Sequence, residues 1–108
     1  MTTTGYLVLF VADPADDGHA DALRDVARSV EGAGFFDDPA GGEERTVGTY
    51  LRVESLRDER AQALIGWVAG VSEALAARVE VQYREVVLGH LVAGQADDRL
   101  RAALGAVT

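Results

Sequence analysis

The segment that decides the fold is Tyr6-Leu-Val-Leu-Phe-Val-Ala12, an unbroken apolar run near the start of the chain. It is short, rich in residues that favour strands, and followed by Asp13-Pro14. Both of its alternating sets of side chains are apolar, so the run predicts a β-strand that is covered on both faces. Its length is too small for a signal peptide or a membrane span. We therefore expect a cytoplasmic protein that does not enter a membrane.

Helical periodicity follows this strand. Apolar residues recur at the spacing i, i+3, i+4, i+7 in Leu23, Val26, Ala27 and Val30. Acidic residues precede this first helix near its positive end, and Gly32 closes it.

The capping box Ser55-x-x-Asp58 predicts that the longest helix spans about residues 56–78. Its expected core stripe is Leu64, Trp67, Val68, Val71 and Leu75. A last short helix is predicted from Asp97 to Leu104.

Further strands lie between these helices. Residues 46–54 alternate strictly, with Val47 on one side and Tyr50 on the other. Residues 79–88 also alternate at first and become apolar on both faces from Val86. Phe35-Phe36 is a weaker strand candidate, and the turn-rich stretch 37–45 is expected to be a mobile loop.

The order of these elements leaves two folds open for what we interpret as a single α+β domain over residues 1–108. If Phe35-Phe36 is a strand, the pattern predicts a ferredoxin-like βαββαβ sandwich with an added C-terminal helix. If it is loop, a three-stranded parallel βαβαβα arrangement results. We favour the first, because three strands alone make a marginal sheet.

A sandwich of this kind has helices on only one face of its sheet. Because the first strand is apolar on both faces, something must cover the second face. The cover could be the C-terminal helix, a second copy of the chain, or a ligand lying beneath either one. The terminal helix offers little apolar area, so we predict a homodimer in the form of a dimeric α+β barrel.

Polar side chains are expected on this second face and are typical of a cavity for a small molecule. By alternation, the candidate ligand-binding residues are Tyr50, Arg52, Gln82 and Arg84. The two arginines would suit a carboxylate or an enolate. The alternative is a rim of interfacial ion pairs, such as Arg52 with Glu54 or Glu80.

Two residues are candidates for moving a proton at such a site. The imidazole of His90 can accept or donate a proton, and Tyr50 carries a hydroxyl group. No orienting partner for His90 can be identified in the sequence, which favours a structural histidine.

The charge and composition exclude several chemistries. The net charge is −8, and the basic residues are interleaved with acids, which argues against nucleic-acid binding. A basic protein partner is compatible with this charge, although solubility alone explains it. The chain has no cysteine, so disulfides, thiolate metal sites and cysteine nucleophiles are excluded.

Three further motifs have ordinary explanations. The acidic stretch Asp13–Asp21 does not have the spacing of a calcium loop, and Gly32-Ala-Gly34 follows a helix, unlike a dinucleotide loop. We predict no metal and no cofactor. Gly66, Gly70 and Ala74 form a small-residue stripe on the long helix. We expect it to pack closely against the first or last helix, of the same chain or of a partner.

Two classes of function remain. In element order and length the chain is similar to dimeric α+β barrels, which include cofactor-free monooxygenases, isomerases and cyclases. The first hypothesis is therefore binding or conversion of a small molecule. The second is an acidic interaction module that regulates or inhibits a basic protein without catalysis. The sequence does not decide whether the protein is an enzyme.

Overall fold

The computed structural model describes residues 5–11, 15–38 and 45–105. They form an α+β fold in which six strands make one sheet, all neighbouring strands are antiparallel, and three helices are present. The strand order is β2-β3-β1-β4-β5-β6. The elements are β1 (Gly5–Val11), α1 (Asp17–Ser29), β2 (Gly34–Asp38), β3 (Thr46–Val53), α2 (Glu59–Leu75), β4 (Arg78–Tyr83), β5 (Val86–Val92), β6 (Gln95–Ala96) and α3 (Asp98–Gly105).

This arrangement excludes one of the two predicted patterns. Phe35-Phe36 lies in β2 and pairs with β3, and the parallel βαβαβα alternative is wrong because every pairing is antiparallel. The single strand expected over residues 79–88 is also wrong. A two-residue turn at Arg84-Glu85 divides that segment into the hairpin β4–β5, with Tyr83 opposite Val86.

The start of α2 differs from the predicted capping box. The cap is Asp58, whose carboxylate accepts a hydrogen bond from the Arg60 backbone N–H at 2.8 Å. Ser55 belongs to the turn before the helix, where its hydroxyl oxygen accepts from the Arg57 N–H. The helix spans Glu59–Leu75 and is therefore shorter than the predicted range of residues 56–78. It ends before Ala76, whose backbone angles lie in the left-handed region.

The core lies between one face of the sheet and the helices. Fully buried aliphatic side chains from the three central strands point to this side and include Leu7, Leu9, Val47, Leu51, Val79 and Val81. Leu23 of α1 and Leu64 and Val68 of α2 pack against them. Trp67 and Leu75, expected in the core stripe of α2, are instead 55% and 41% exposed.

The third helix packs on the same side as the first two. Leu100 is fully buried in the common core, where it contacts the backbone at Gly89 of β5. A Cβ atom at Gly89 would lie 2.6 Å from Cβ of Leu100, so only glycine allows this approach. The C-terminal helix therefore does not cover the second face of the sheet, which removes one of the three predicted covers.

Two other expectations concern α2 and the loop. A Cβ at Gly66 or Gly70 would meet no described atom within 4 Å, so neither α1 nor α3 of the same chain packs closely against these two glycines. Of the predicted loop 37–45, residues 39–44 lie outside the described ranges, while Asp37 and Asp38 belong to β2.

Among the helices that the structure describes, none is long and apolar enough to cross a membrane.

Candidate functional site

The second face of the sheet, called here the open face, carries side chains that point away from the helices. Within the described ranges no helix covers it, and Tyr6 and Tyr50 are 52% and 38% exposed. The paired strands bring together on this face Tyr6, Val8, Phe10, Phe36, Tyr50, Arg52, Glu80, Gln82, Val87 and His90. The aromatic rings of this face therefore lie on β1, β2 and β3, and most of its polar groups lie on β4 and β5.

A concave pocket of about 680 Å³ lies on the open face. This volume falls in the range of pockets that hold small molecules. Val8 lines the pocket and lies opposite Tyr50 on β3 and Gln82 on β4 in the strand register. The pocket is lined by Gly5, Tyr6, Val8, Phe36, Tyr50, Gln82, Arg84 and Glu85.

One side of the pocket is a wall of three aromatic rings, defined as Tyr6, Tyr50 and Phe36. The ring centroids of Tyr6 and Tyr50 are 6.1 Å apart in an edge-on arrangement, and those of Phe36 and Tyr50 are 6.5 Å apart. Both separations lie in the range of favourable aromatic contacts. The wall offers ring faces and edges together with two tyrosine hydroxyl groups.

Two glycines let these rings lie close to the sheet. A Cβ atom at Gly34 would collide with the Tyr50 ring, and one at Gly48 would lie 2.7 Å from Cζ of Phe36. Each ring therefore fills the place of a missing side chain on the neighbouring strand, as occurs when aromatic residues cover strand glycines. A glycine inside a predicted strand, such as Gly48, is the sequence signal that could have indicated this close approach.

The other side of the pocket is formed by Gln82 and the β4–β5 turn. The Arg84 backbone N–H donates a hydrogen bond to the Tyr6 carbonyl at 3.2 Å, which ties the turn to β1. The Arg84 side chain crosses Gly5 on the helix side of the sheet, the side to which Gly5 and Tyr83 belong in the strand register, and its guanidinium carbon lies 5.4 Å from the centroid of the Tyr83 ring. Glu85 follows on the same rim.

The pocket brings together three of the five predicted site residues. Tyr50, Gln82 and Arg84 line it. Arg52 lies on the same face opposite Tyr6 in the register, and His90 lies on β5 opposite Glu80; neither lines the pocket. Tyr6, Val8, Phe36 and Glu85 were not among the predicted ligand-binding residues. Tyr6 and Val8 belong to the apolar set of β1 that first identified this face.

His90 has the partners that the sequence did not reveal. Its Nε2 lies 3.5 Å from Oε1 of Glu80, and its Nδ1 lies 3.4 Å from Oδ2 of Asp97. Gln82 donates its amide N–H to the other oxygen of Glu80 at 2.5 Å. A chain of polar groups therefore runs from Asp97 at the sheet edge, through His90 and Glu80, to Gln82 in the pocket.

Asp97 also caps the third helix. Its carboxylate accepts hydrogen bonds from the backbone N–H groups of Leu100 at 2.8 Å and His90 at 3.2 Å. The bond from Leu100, followed by those from His90, lowers the pKa of Asp97, while partial desolvation opposes the shift.

Glu80 and Gln82 could be placed on one face by their i, i+2 spacing. Their contact with His90 requires the hairpin that the sequence did not predict.

The acidic stretch before α1 is occupied by helix capping and arginine pairing. Asp16 caps α1 by accepting from the His19 N–H, and Arg45 bridges Asp17 at 2.6 Å and Asp37 at 2.7 Å. The hydrogen bond from Arg45 lowers the pKa of Asp37. Asp13 lies outside the described ranges. Among the residues that are described, no group of three acidic or histidine side chains has the geometry to hold a metal ion.

Comparisons with known proteins give this chain no family. No family model, no curated protein and no solved structure matches it. Its function has to be inferred from the chemistry of the open face.

Proposed function

We propose that the protein is a dimeric α+β barrel that binds or converts a small molecule at the open face. The observation that carries the proposal is the aromatic-walled pocket of about 680 Å³ on a sheet face that no described helix covers. The order β2-β3-β1-β4, with α1 and α2 on one side, supports a ferredoxin-like half-barrel. In this description β5, β6 and α3 are additions at one edge.

Pairing of two open faces follows from the side chains they carry. Val8, Phe10 and the aromatic wall form a continuous apolar surface across three strands. Surfaces of this kind on soluble proteins mark interaction sites, because their exposure to water is unfavourable. A second copy would cover the wall, and the concavity at Val8 would remain as a cavity beneath it.

The lining residues supply the chemistry that such a cavity needs. The aromatic wall would hold an apolar or planar group, and the Gln82 amide would form a hydrogen bond with a polar group of the ligand. For a reaction of the isomerase, cyclase or cofactor-free monooxygenase type, a proton-transfer group is required. Tyr50 is the predicted candidate that lines the pocket, whereas His90 would act only through Glu80 and Gln82.

The proposal is tested by comparing two glutamate substitutions on opposite sides of the molecule. Tyr6 and Trp67 are aromatic and similarly exposed, at 52% and 55%, but Tyr6 lies on the open face and Trp67 on α2. Y6E should dissociate the dimer and abolish ligand binding, because it buries like charges at the interface. W67E should leave both unchanged. The readouts are mass by sedimentation and binding of small aromatic compounds. Dissociation by W67E alone would place the interface on α2 and contradict the proposal.

The second candidate is an acidic module that binds a basic protein, and the net charge of −8 favours it. Such an association would weaken steeply with salt, because it depends on long-range attraction between opposite charges. Ligand binding in the apolar pocket would change little between 50 mM and 500 mM salt. Retention of a basic partner only at low salt, together with no ligand binding, would support this second candidate.

A further inference from the structure

The pairing of β4 with β5 contains a β-bulge beside the pocket. Gln82 pairs with Val87 and Glu80 with His90, so a step of two residues on β4 matches a step of three on β5. In a regular strand Val87 and His90 would face opposite sides of the sheet, because side chains alternate. The bulge turns His90 to the open face, where Glu80 lies. Bulges that redirect a side chain in this way are common next to functional sites.

The polar groups on this part of the open face fix the direction of the Gln82 amide. Oε1 of Glu80 lies 3.5 Å from Nε2 of His90, and Oε2 accepts the amide N–H of Gln82 at 2.5 Å. Asp97 holds the His90 ring from its other side, 3.4 Å from Nδ1. An ionised carboxylate accepts hydrogen bonds and donates none, so the amide nitrogen of Gln82 faces Glu80. Because the amide group is planar, its Oε1 is turned away from Glu80.

This arrangement leaves the Gln82 carbonyl oxygen to the pocket. Gln82 lines the pocket, whereas Glu80 does not. Within the described part of the chain no donor bonds to Oε1 of Gln82, and this oxygen is not sealed from solvent. The hydroxyl groups of Tyr6 and Tyr50 on the aromatic wall can each donate or accept, so they suit either kind of ligand. Oε1 of Gln82 is therefore a fixed hydrogen-bond acceptor opposite the aromatic wall.

We infer that the pocket takes an uncharged aromatic ligand whose O–H or N–H group donates a hydrogen bond to Oε1 of Gln82, and that Glu80 is the positioning residue that sets this preference. This inference rests on the proposed function. The ring of the ligand would contact the aromatic wall. An acceptor atom in place of the donor would meet the lone pairs of Oε1 and be repelled. A carboxylate would be repelled by Oε1 and by Glu85 on the rim.

Three uncharged bicyclic compounds of nearly the same shape test the preference. Indole donates a hydrogen bond through its N–H, benzoxazole accepts one through its ring nitrogen, and benzofuran does neither strongly. Their Kd values can be measured from the NMR shifts of the backbone amides of Tyr6, Val8 and Tyr50, which line the pocket. Because the compounds differ in their own hydration, selectivity is expressed as the benzoxazole Kd divided by the indole Kd and is compared between proteins.

Two variants assign the selectivity to the amide and to the group that positions it. Q82M removes the amide, so it should weaken indole and lower the Kd ratio at least about threefold, the size expected for one hydrogen bond, with little change for benzofuran. E80A leaves the amide free to turn its N–H to the pocket, so it should lower the ratio by tightening benzoxazole. The controls Q95M and E73A repeat these substitutions at exposed positions outside the pocket and should change no Kd.

The outcomes separate this inference from the proposed function. The same Kd ratio in the wild type, Q82M and E80A would overturn the donor preference and leave the pocket standing. A ratio that falls in E85A but not in Q82M would assign the acceptor to Glu85, which also overturns it. An E80A protein that keeps the full ratio would show that Glu80 does not position the amide. Binding of none of the three compounds to the wild-type protein would overturn both proposals.

Discussion

The two faces of the sheet have opposite chemistry although they are made by the same strands. On β1, Leu7 and Leu9 are fully buried beneath the helices, whereas Tyr6, Val8 and Phe10 on the other side are partly or largely exposed. The helix face is aliphatic and closely packed, while the open face combines rings, glycines and polar groups. The helix face therefore forms the buried core, whereas the open face carries the pocket that we propose for binding.

The two faces should differ most in stability at neighbouring residues of β1. L9A should lower the free energy of unfolding by about 3 kcal/mol, because it removes a fully buried side chain and leaves a cavity. V8A, on the open face, should cost less than about 1 kcal/mol when measured on a dissociated variant such as Y6E. Urea denaturation measures both. Equal losses would show that the two faces do not differ in packing.

A smaller effect is expected at Thr49, the polar exception on the helix face. Its side chain is fully buried, and its hydroxyl oxygen has no hydrogen-bond partner among the described residues. T49V keeps the shape and removes this unsatisfied group, so it should raise the free energy of unfolding by about 1 kcal/mol. T46V, at a half-buried position of the same strand, serves as the control and should change it little. A destabilised T49V protein would mean that the hydroxyl is hydrogen-bonded in solution.

The smallest effect at neutral pH is expected at Asp97, where the edge of the open face meets α3. Its pKa is lower in the folded than in the unfolded chain, so its carboxylate stabilises the fold above about pH 4 and this contribution is lost as the pH falls. D97N keeps an oxygen that can cap the helix but removes the charge, so it should lower the Tm slightly at pH 7 and leave the Tm at pH 2 nearly unchanged. The decline in Tm between pH 5 and pH 2 should therefore be flatter than in the wild type. An unchanged decline would assign the acid sensitivity to other carboxylates.

The sequence predicted the helix face better than the open face. Alternation on β1 and β3 places Leu9 and Leu51 correctly, because burial against helices imposes a strict period on a strand. The positions of Tyr50 and Gln82 follow from the same period. The turn at Arg84-Glu85 could not be predicted, because neither residue carries the preference for positive φ that identifies such turns.

Long-range pairing explains most of the remaining differences. The contact of His90 with Glu80 and Asp97 depends on the β4–β5 hairpin and the cap of α3, two features that meet only in the folded chain. The exposure of Trp67 could not be predicted either. A helix of this apolarity is amphipathic only weakly, and the sequence does not mark which of its sides meets the sheet.

We propose that a second copy of the chain covers the open face. Isotope-filtered NOE spectroscopy on a mixture of labelled and unlabelled protein detects such a contact. We expect intermolecular NOEs from the Val8 methyl groups and none from the Trp67 ring, in a species of twice the 11.4 kDa chain mass. A monomer without contacts at Val8, or a dimer whose contacts come only from Trp67, would contradict it.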